Sequence, residues 1–117
     1  VVDSVSAAFD ADTLDTGTVI LNLNGNFATL GMIETALEAS GSMEITPDGN
    51  GTAADVFLVS WDDGTNSYLS AIVSAAGFVD DTPPVAGDLT ATTLVTFTGI
   101  ADANTLTALN FGTALVG

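Results

Sequence analysis

The chain contains no lysine, arginine, histidine or cysteine. Without cysteine it can form no disulfide, zinc–thiolate site, iron–sulfur cluster or thiol nucleophile. Without basic side chains it has no cations for phosphate groups, so we expect no nucleic-acid binding and no attraction to anionic lipid. No apolar run reaches the roughly 18 residues of a membrane-spanning helix, so we expect no membrane insertion. No basic segment followed by an apolar one opens the chain, so we expect any export signal to lie elsewhere or to have been removed before Val1.

The missing side chains also argue against catalysis. A chain without His, Lys, Arg or Cys can build neither an ordinary catalytic triad nor a cation that stabilises an oxyanion. Acid–base work would then fall to paired carboxylates, as it does in glycosidases. The adjacent pairs Asp62-Asp63 and Asp80-Asp81 lie in segments that read as turns, where Asp is favoured for backbone reasons. We therefore expect that the protein is not an enzyme.

Charge of one sign is abundant: the chain carries fifteen carboxylates and a formal net charge of −15. No salt bridge between side chains can offset their repulsion, which disfavours the compact state. Bound cations would offset it, and calcium is the natural candidate because it prefers carboxylate and carbonyl oxygens. The best candidate ligands fall in an N-terminal loop and a hairpin turn: Asp10, Asp12, Asp15, Asp62, Asp63 and Asn66. For each loop the alternative is a solvated turn.

A third acidic loop, residues 48–51 with Asp55, resembles part of an EF-hand loop. It lacks the closing bidentate Glu, so we do not expect an EF-hand there.

The apolar share of 47% over 117 residues suits a single folded domain, residues 1–117. Strand patterns cover residues 18–23, 55–61, 67–73 and 93–99, and the five-residue connection 62–66 predicts a hairpin that lies centrally in a sheet. Residues 74–91 read as a loop. The fold class that follows is mainly β, a β-sandwich or β-roll-like sheet with one short amphipathic helix.

The helix is predicted over residues 30–39, with Thr29 as its N-cap. Leu30, Ile33 and Leu37 form its apolar stripe, and Glu34 and Glu38 lie four apart on what we take to be the opposite face. We expect one core, in which sheet residues are buried together with this stripe. Its members would be Phe57, Val59, Leu69, Val95, Phe97, Leu30, Ile33 and Leu37.

The second half of the chain resembles a known family. The segments "DVFLVSWDDGTNSYLSAIV", "ATTLVTFTGIAD" and "NTLTALNFG", with the upstream helix "ATLGMIETALEAS", are similar to the closing domain of RTX-type, type I secreted bacterial proteins, including S-layer proteins and adhesins. Phe97-Thr98-Gly99 and the run from Leu106 to Phe111 carry the likeness. The family's glycine-rich calcium nonapeptide is absent, so the chain is not itself a calcium β-roll. The resemblance implies export, with the signal beyond about Thr93.

These observations predict an extracellular structural or assembly module of a surface protein, an S-layer, adhesin or filament subunit, stabilised by calcium. Its partners would be copies of itself or a neighbouring domain. Because no Lys guards an edge, we expect the strand at 18–23 or residues 113–116 to pair with another chain. The alternative is a non-catalytic carbohydrate- or ligand-binding module of a secreted enzyme. Trp61 and Tyr68 would then form its stacking platform, although such aromatics more often pack across a hairpin.

Overall fold

A computed structural model describes residues 2–11, 20–47 and 56–107. The fold is mainly β with one short α-helix, as the sequence predicts. Its elements in chain order are β1 (Val2–Val5), β2 (Phe9–Asp10), β3 (Ile20–Asn26), α1 (Leu30–Leu37), β4 (Ile45–Thr46), β5 (Val56–Asp62), β6 (Ser67–Ser74), β7 (Leu89–Phe97) and a 3-10 helix (Ala103–Thr105).

The main sheet has five strands in the order β1-β3-β5-β6-β7. Strands β1, β3 and β5 run parallel, whereas β5, β6 and β7 form an antiparallel meander. The helix α1 lies on the crossover between β3 and β5, because parallel neighbours need a long connection. Strands β2 and β4 form a separate two-stranded sheet.

The expectation that the strand at 18–23 lies at an edge is wrong. Its described part, Ile20 to Leu23, belongs to β3 and pairs with β1 on one side. On the other side, Ile20, Leu21 and Asn22 pair with β5. The four-residue strand β1 is too short to be recognised from its sequence, yet it adds to the sheet beyond β3. The other predicted edge, residues 113–116, lies outside the described residues.

The hairpin and its central place in the sheet are confirmed. Strand β5 pairs with β6 from Val56–Val73 to Asp62–Ser67, and both strands have neighbours on each side. The strand predicted at 93–99 begins four residues earlier, at Leu89, and ends at Phe97. The predicted loop 74–91 is shorter for that reason. Leu89 and Ala91 are buried, so the start of β7 belongs to the core and not to the loop.

The helix begins where the sequence predicts and ends two residues early. Thr29 has extended backbone angles, and its side-chain oxygen accepts a hydrogen bond from the Met32 backbone N–H at 3.3 Å, as an N-cap does. The last helical residue is Leu37. Ile33 and Leu37 of the predicted stripe are fully buried, and Leu30 is partly buried against the same cluster.

The prediction of a single core is wrong, because the sheet buries apolar side chains in two clusters. The larger cluster joins the helix to Phe57 and Val59. The smaller one contains Leu69, with Val95 and Phe97 partly buried against it. Successive residues of a strand face opposite sides of the sheet, and Val59 pairs with Ser70 whereas Leu69 pairs with Ser60. The helix therefore covers one face, and the chain from Ile100 to Leu106 packs on the other.

The two helix glutamates, which the sequence placed on the face opposite the apolar stripe, both reach the sheet. The Glu38 carboxylate accepts a hydrogen bond from the Leu89 backbone N–H at 3.0 Å, and Glu34 accepts one from the Ala91 N–H at 2.8 Å. Glu38 is only 6% exposed. Since Leu89 and Ala91 are alternate residues of β7, the helix satisfies donors along the outer edge of this strand.

Candidate functional site

The structure brings together half of the sequence-predicted calcium ligands. Asp62, Asp63 and Asn66 lie at the turn between β5 and β6, at the carboxyl end of a parallel strand. Asp10 lies in β2 of the separate two-stranded sheet and is half-buried. Asp12 and Asp15 lie outside the described residues, as do residues 48–51 and Asp55 of the third loop.

Asp63 holds the hairpin turn through its side chain. One carboxylate oxygen accepts hydrogen bonds from the backbone N–H groups of Thr65 at 2.9 Å and Asn66 at 2.8 Å. The other accepts a hydrogen bond from the Tyr68 hydroxyl at 2.7 Å. Gly64, next in the chain, has a φ of 87°, a left-handed conformation that glycine adopts without strain. The sequence Asp-Gly thus specifies the turn locally.

These bonds change the acidity of both partners. The Asn66 backbone N–H, followed by the Tyr68 hydroxyl and the Thr65 N–H, lowers the pKa of Asp63 below its usual value. The Asp63 carboxylate in turn raises the pKa of Tyr68. A carboxylate that accepts several donors is stabilised in its charged form. Asp63 therefore stays ionised near neutral pH without a protein cation.

Asp62 is buried, with 3% of its surface exposed, and it ties the hairpin to a distant segment. Its carboxylate accepts hydrogen bonds from the Gly64 N–H at 3.1 Å and from the Ala103 N–H at 3.0 Å. Ala103 begins the 3-10 helix, whose N-cap is Asp102. The side chain of Asp62 therefore fixes the 3-10 helix against the end of β5.

A polar hollow of about 370 Å³ opens where these segments meet. Its oxygen-bearing side chains come from β3, β5 and the start of the 3-10 helix. The residues that line it are Gly25, Asn26, Asp62, Gly64, Ala101, Asp102 and Asn104. Sequence reasoning found only Asp62 of this set. Asp102 is recognisable locally as a helix cap, because its side chain accepts a hydrogen bond from the Asn104 backbone N–H at 2.9 Å. No local pattern places Asp102 beside Asp62.

A buried amide network lies behind the hollow. Asn22 is 2% exposed and accepts a hydrogen bond from the Ser60 hydroxyl at 2.8 Å. Its amide nitrogen donates to the side-chain oxygens of Asn24, at 3.2 Å, and Asn104. Through these hydrogen bonds, the side chain of Asn22 connects β3 to β5 and to the 3-10 helix. Its role is consequently structural.

The aromatic pair of the hairpin stacks inside the protein. The rings of Trp61 and Tyr68 lie 4.4 Å apart between centroids, at 26° to each other. The indole N–H donates to the Ser70 hydroxyl at 2.9 Å, and Trp61 is only 3% exposed. Trp61 therefore presents no ring face to a sugar, and the pair acts as cross-strand packing.

Backbone N–H groups take the place of the missing cations in this protein. Among the described residues, at least seven carboxylates accept a backbone N–H: Glu34, Glu38, Glu44, Asp62, Asp63, Asp88 and Asp102. Such charge-assisted bonds are stronger than neutral ones. In the same ranges, no group of three or more acidic side chains is placed to hold a metal ion together.

The antiparallel part of the sheet, in contrast, carries almost no charge. Strand β5 as far as Trp61, together with all of β6 and β7, contains no charged residue; we call these three strands the charge-free meander. On its face away from α1, Val56 is 53% exposed, and Leu58, Ala71 and Val73 are only partly buried. Leu94, on the outermost strand, is 51% exposed. A sheet face turned to water would ordinarily carry polar side chains at such positions.

Within the described ranges, no helix is long and apolar enough to cross a membrane. Comparison with protein-family models, curated proteins and solved structures finds no match to this chain.

Proposed function

We propose that the chain is a non-catalytic structural module of a bacterial surface protein of the type I secreted class, an S-layer, adhesin or filament subunit. It works outside the cell by associating with copies of itself or with a neighbouring domain. The observation that carries this proposal is the charge-free meander, whose exposed positions carry no charge and include the apolar side chains of Val56 and Leu94, on a protein whose net charge is strongly negative.

The charge distribution limits how two copies can meet. Contact through most other surfaces would bring carboxylates of like sign together, with no basic side chain to separate them. Contact through the charge-free meander avoids this cost. It would also remove Val56 and Leu94 from water, at roughly 25 cal/mol per Å² of apolar surface buried.

Support for the secreted class comes from the sequence resemblance. Phe97 ends β7 and Thr98-Gly99 follow it directly. Leu106 packs in the cluster of Leu69, against which Phe97 is partly buried, on the face opposite to the helix. The remainder of the matching run, residues 108–111, lies outside the described residues. The resemblance is the only support for export, whereas the charge-free meander supports association independently of it.

Calcium is the second element of the proposal. The polar hollow offers carboxylate oxygens from Asp62 and Asp102 and amide oxygens from Asn26 and Asn104, which are ligands of the kind that calcium takes. Several of these oxygens already accept hydrogen bonds, so a bound ion would use their remaining lone pairs and water. Neutralising charge there would reduce the repulsion between copies.

The test is a light-scattering measurement of molar mass against protein concentration and sodium chloride. We expect the mass of the wild-type chain to rise above 11.7 kDa with concentration, and more strongly at high salt, which screens the acidic loops. The matched variants are Thr92→Asp and Thr92→Asn, at an exposed position of β7. The aspartate should weaken association, and the uncharged asparagine of similar shape should leave it nearly unchanged.

A folded wild-type chain that stays monomeric at every concentration and salt level would contradict the proposal. So would equal association of the two variants at position 92, because charge on the meander would then be irrelevant. Circular dichroism of each variant establishes that it is folded before the comparison is made.

A further inference from the structure

Asn24 and Gly25 lie near the end of β3, where its regular pairing is interrupted. Strand β1 pairs with β3 only as far as Leu23. Against β5, the register shifts between Asn22 and Asn26, and the residues between these two positions have no partner on β5. Neither neighbouring strand therefore holds Asn24 and Gly25 as a regular ladder would.

Gly25 leaves room for a reaction at this point. It is exposed and has a φ of 105°, which residues with a side chain rarely adopt. Among the described residues other than its two chain neighbours, no heavy atom lies within 4 Å of the position that a Cβ atom would take. The backbone nitrogen of Gly25 is therefore an unhindered nucleophile for the side-chain carbonyl carbon of the residue before it.

Besides connecting three segments, the side chain of Asn22 polarises that carbonyl group. Its amide nitrogen donates a hydrogen bond to Oδ1 of Asn24 at 3.2 Å. Attack on the Asn24 carbonyl carbon places negative charge on this oxygen, and a fixed donor stabilises such a charge. Asn22 is 2% exposed, and its hydrogen bonds with Ser60 and Asn104 hold it in place. The donor is thus in position before any reaction begins.

We propose that Asn24-Gly25 is a site of self-modification, at which the asparagine deamidates without an enzyme. The backbone nitrogen of Gly25 forms a bond to Cγ of Asn24, and the bond between Cγ and Nδ2 breaks. The proton of the Gly25 nitrogen leaves with Nδ2, as ammonia. Water then opens the resulting cyclic imide at one of its two carbonyl groups, which gives aspartate or isoaspartate. Water is the only other reactant.

The same features do not recur at the other described candidates. The other described asparagines each precede a residue whose side chain hinders attack by the backbone nitrogen: Asn22, Asn26, Asn66 and Asn104. Asp63 also precedes a glycine, but its hydrogen bonds favour the ionised carboxylate, which is a poor electrophile.

The modification changes the charge beside the polar hollow. It converts the neutral amide of Asn24 into a carboxylate, and Gly25, the next residue, lines the hollow. One more negative charge at this place makes the hollow more favourable to a cation.

The test follows deamidation at residue 24 over time in mildly alkaline buffer. A protease that cuts after glutamate releases the segment, and fragmentation mass spectrometry locates the new acid. The variants Asn22→Asp and Asn22→Ala both lack the N–H donor, and the first retains the shape of the side chain and an acceptor for Ser60. The internal control is the second Asn-Gly pair of the chain, Asn50-Gly51, which lies outside the described residues and should react equally in all three proteins.

We expect residue 24 of the wild-type chain to deamidate faster in the folded protein than in urea, because only the fold supplies the donor from Asn22. In the folded variants the rate should fall roughly fivefold, the factor that one neutral hydrogen bond contributes. In urea the three proteins should react at the same rate.

Two results would overturn the inference. If the wild-type chain reacts more slowly at residue 24 when folded than in urea, the fold protects Asn24 and does not promote its modification. If the folded wild type reacts no faster than a variant that circular dichroism shows to be folded, Asn22 has no part in the reaction. If neither variant folds, the comparison of folded with unfolded wild type still decides. None of these measurements depends on association, so the assembly function is tested separately.

Discussion

Replacing Glu38 tests whether helix carboxylates stabilise the edge of the sheet. In Glu38→Ala the buried Leu89 N–H loses the acceptor that lies 3.0 Å away. An unsatisfied buried donor costs about 1–3 kcal/mol, so the free energy of unfolding should fall by that amount. Glu38→Gln is the matched control, because it removes the same charge and retains a side-chain oxygen.

The comparison between the two variants removes the effect of net charge. Each lowers the negative charge by one and relieves repulsion equally, so their difference reports the acceptor alone. Charge-assisted bonds are roughly twice as strong as neutral ones, so Gln should lose part of the stabilisation and Ala all of it. The measurement is urea unfolding at fixed ionic strength, followed by circular dichroism. Equal stability of Glu38→Ala and Glu38→Gln would refute the role of the carboxylate at Leu89.

Three further predictions concern charge. The melting temperature should rise with sodium chloride, because screening weakens repulsion among fifteen carboxylates, and a melting temperature independent of salt would be inconsistent with this. Millimolar calcium should raise the melting temperature more than magnesium does, because a ligand that binds only the folded state stabilises it. Asp62→Asn should reduce this difference between the two ions. An equal response to calcium and magnesium would exclude a selective calcium site. Hydrogen bonds lower the pKa of Asp63 in the folded state. The ionised side chain therefore stabilises the fold fully above the pKa of the unfolded chain, about 3.9. This stabilisation is lost as the pH falls through the pKa of the folded state. Asp63→Ala should therefore destabilise the protein more at pH 7 than at acidic pH, and a loss of stability that is independent of pH would contradict this assignment.

The hairpin could be predicted because its determinants are local. Two apolar β-rich runs flank Asp63-Gly64, and the left-handed glycine and the Asp63 side chain define the turn within five residues. The N-cap of α1 is local in the same way, since Thr29 lies three residues from the N–H that it accepts. The mainly β class and the central place of the hairpin followed from these patterns.

The order of the strands could not be predicted, because it depends on contacts between distant segments. Strand β1 has four residues, and only its parallel pairing with β3 gives it a place in the sheet. The two-cluster core has the same origin. Alternation along β6 sends Leu69 and Ile72 to opposite faces, which a pattern of apolar residues does not reveal when both faces are apolar.

Most of the candidate site was beyond local reasoning for a related reason. Asp62 and Ala103 are 41 residues apart in the sequence, and their hydrogen bond joins two of the segments that line the hollow. The helix glutamates were misplaced because helical periodicity identifies the apolar stripe but not what its flanks will meet. Fifty-one residues separate Glu38 from the Leu89 N–H that it accepts.

The most direct test of the central claim is hydrogen–deuterium exchange measured as a function of protein concentration. If the charge-free meander is the surface through which copies associate, the amides of Leu94 and Thr96 should exchange more slowly as concentration rises. Those of the acidic loop at Asp80 and Asp81 should not change. Slower exchange confined to the acidic loops, or exchange in β7 that is independent of concentration while the protein associates, would contradict the account.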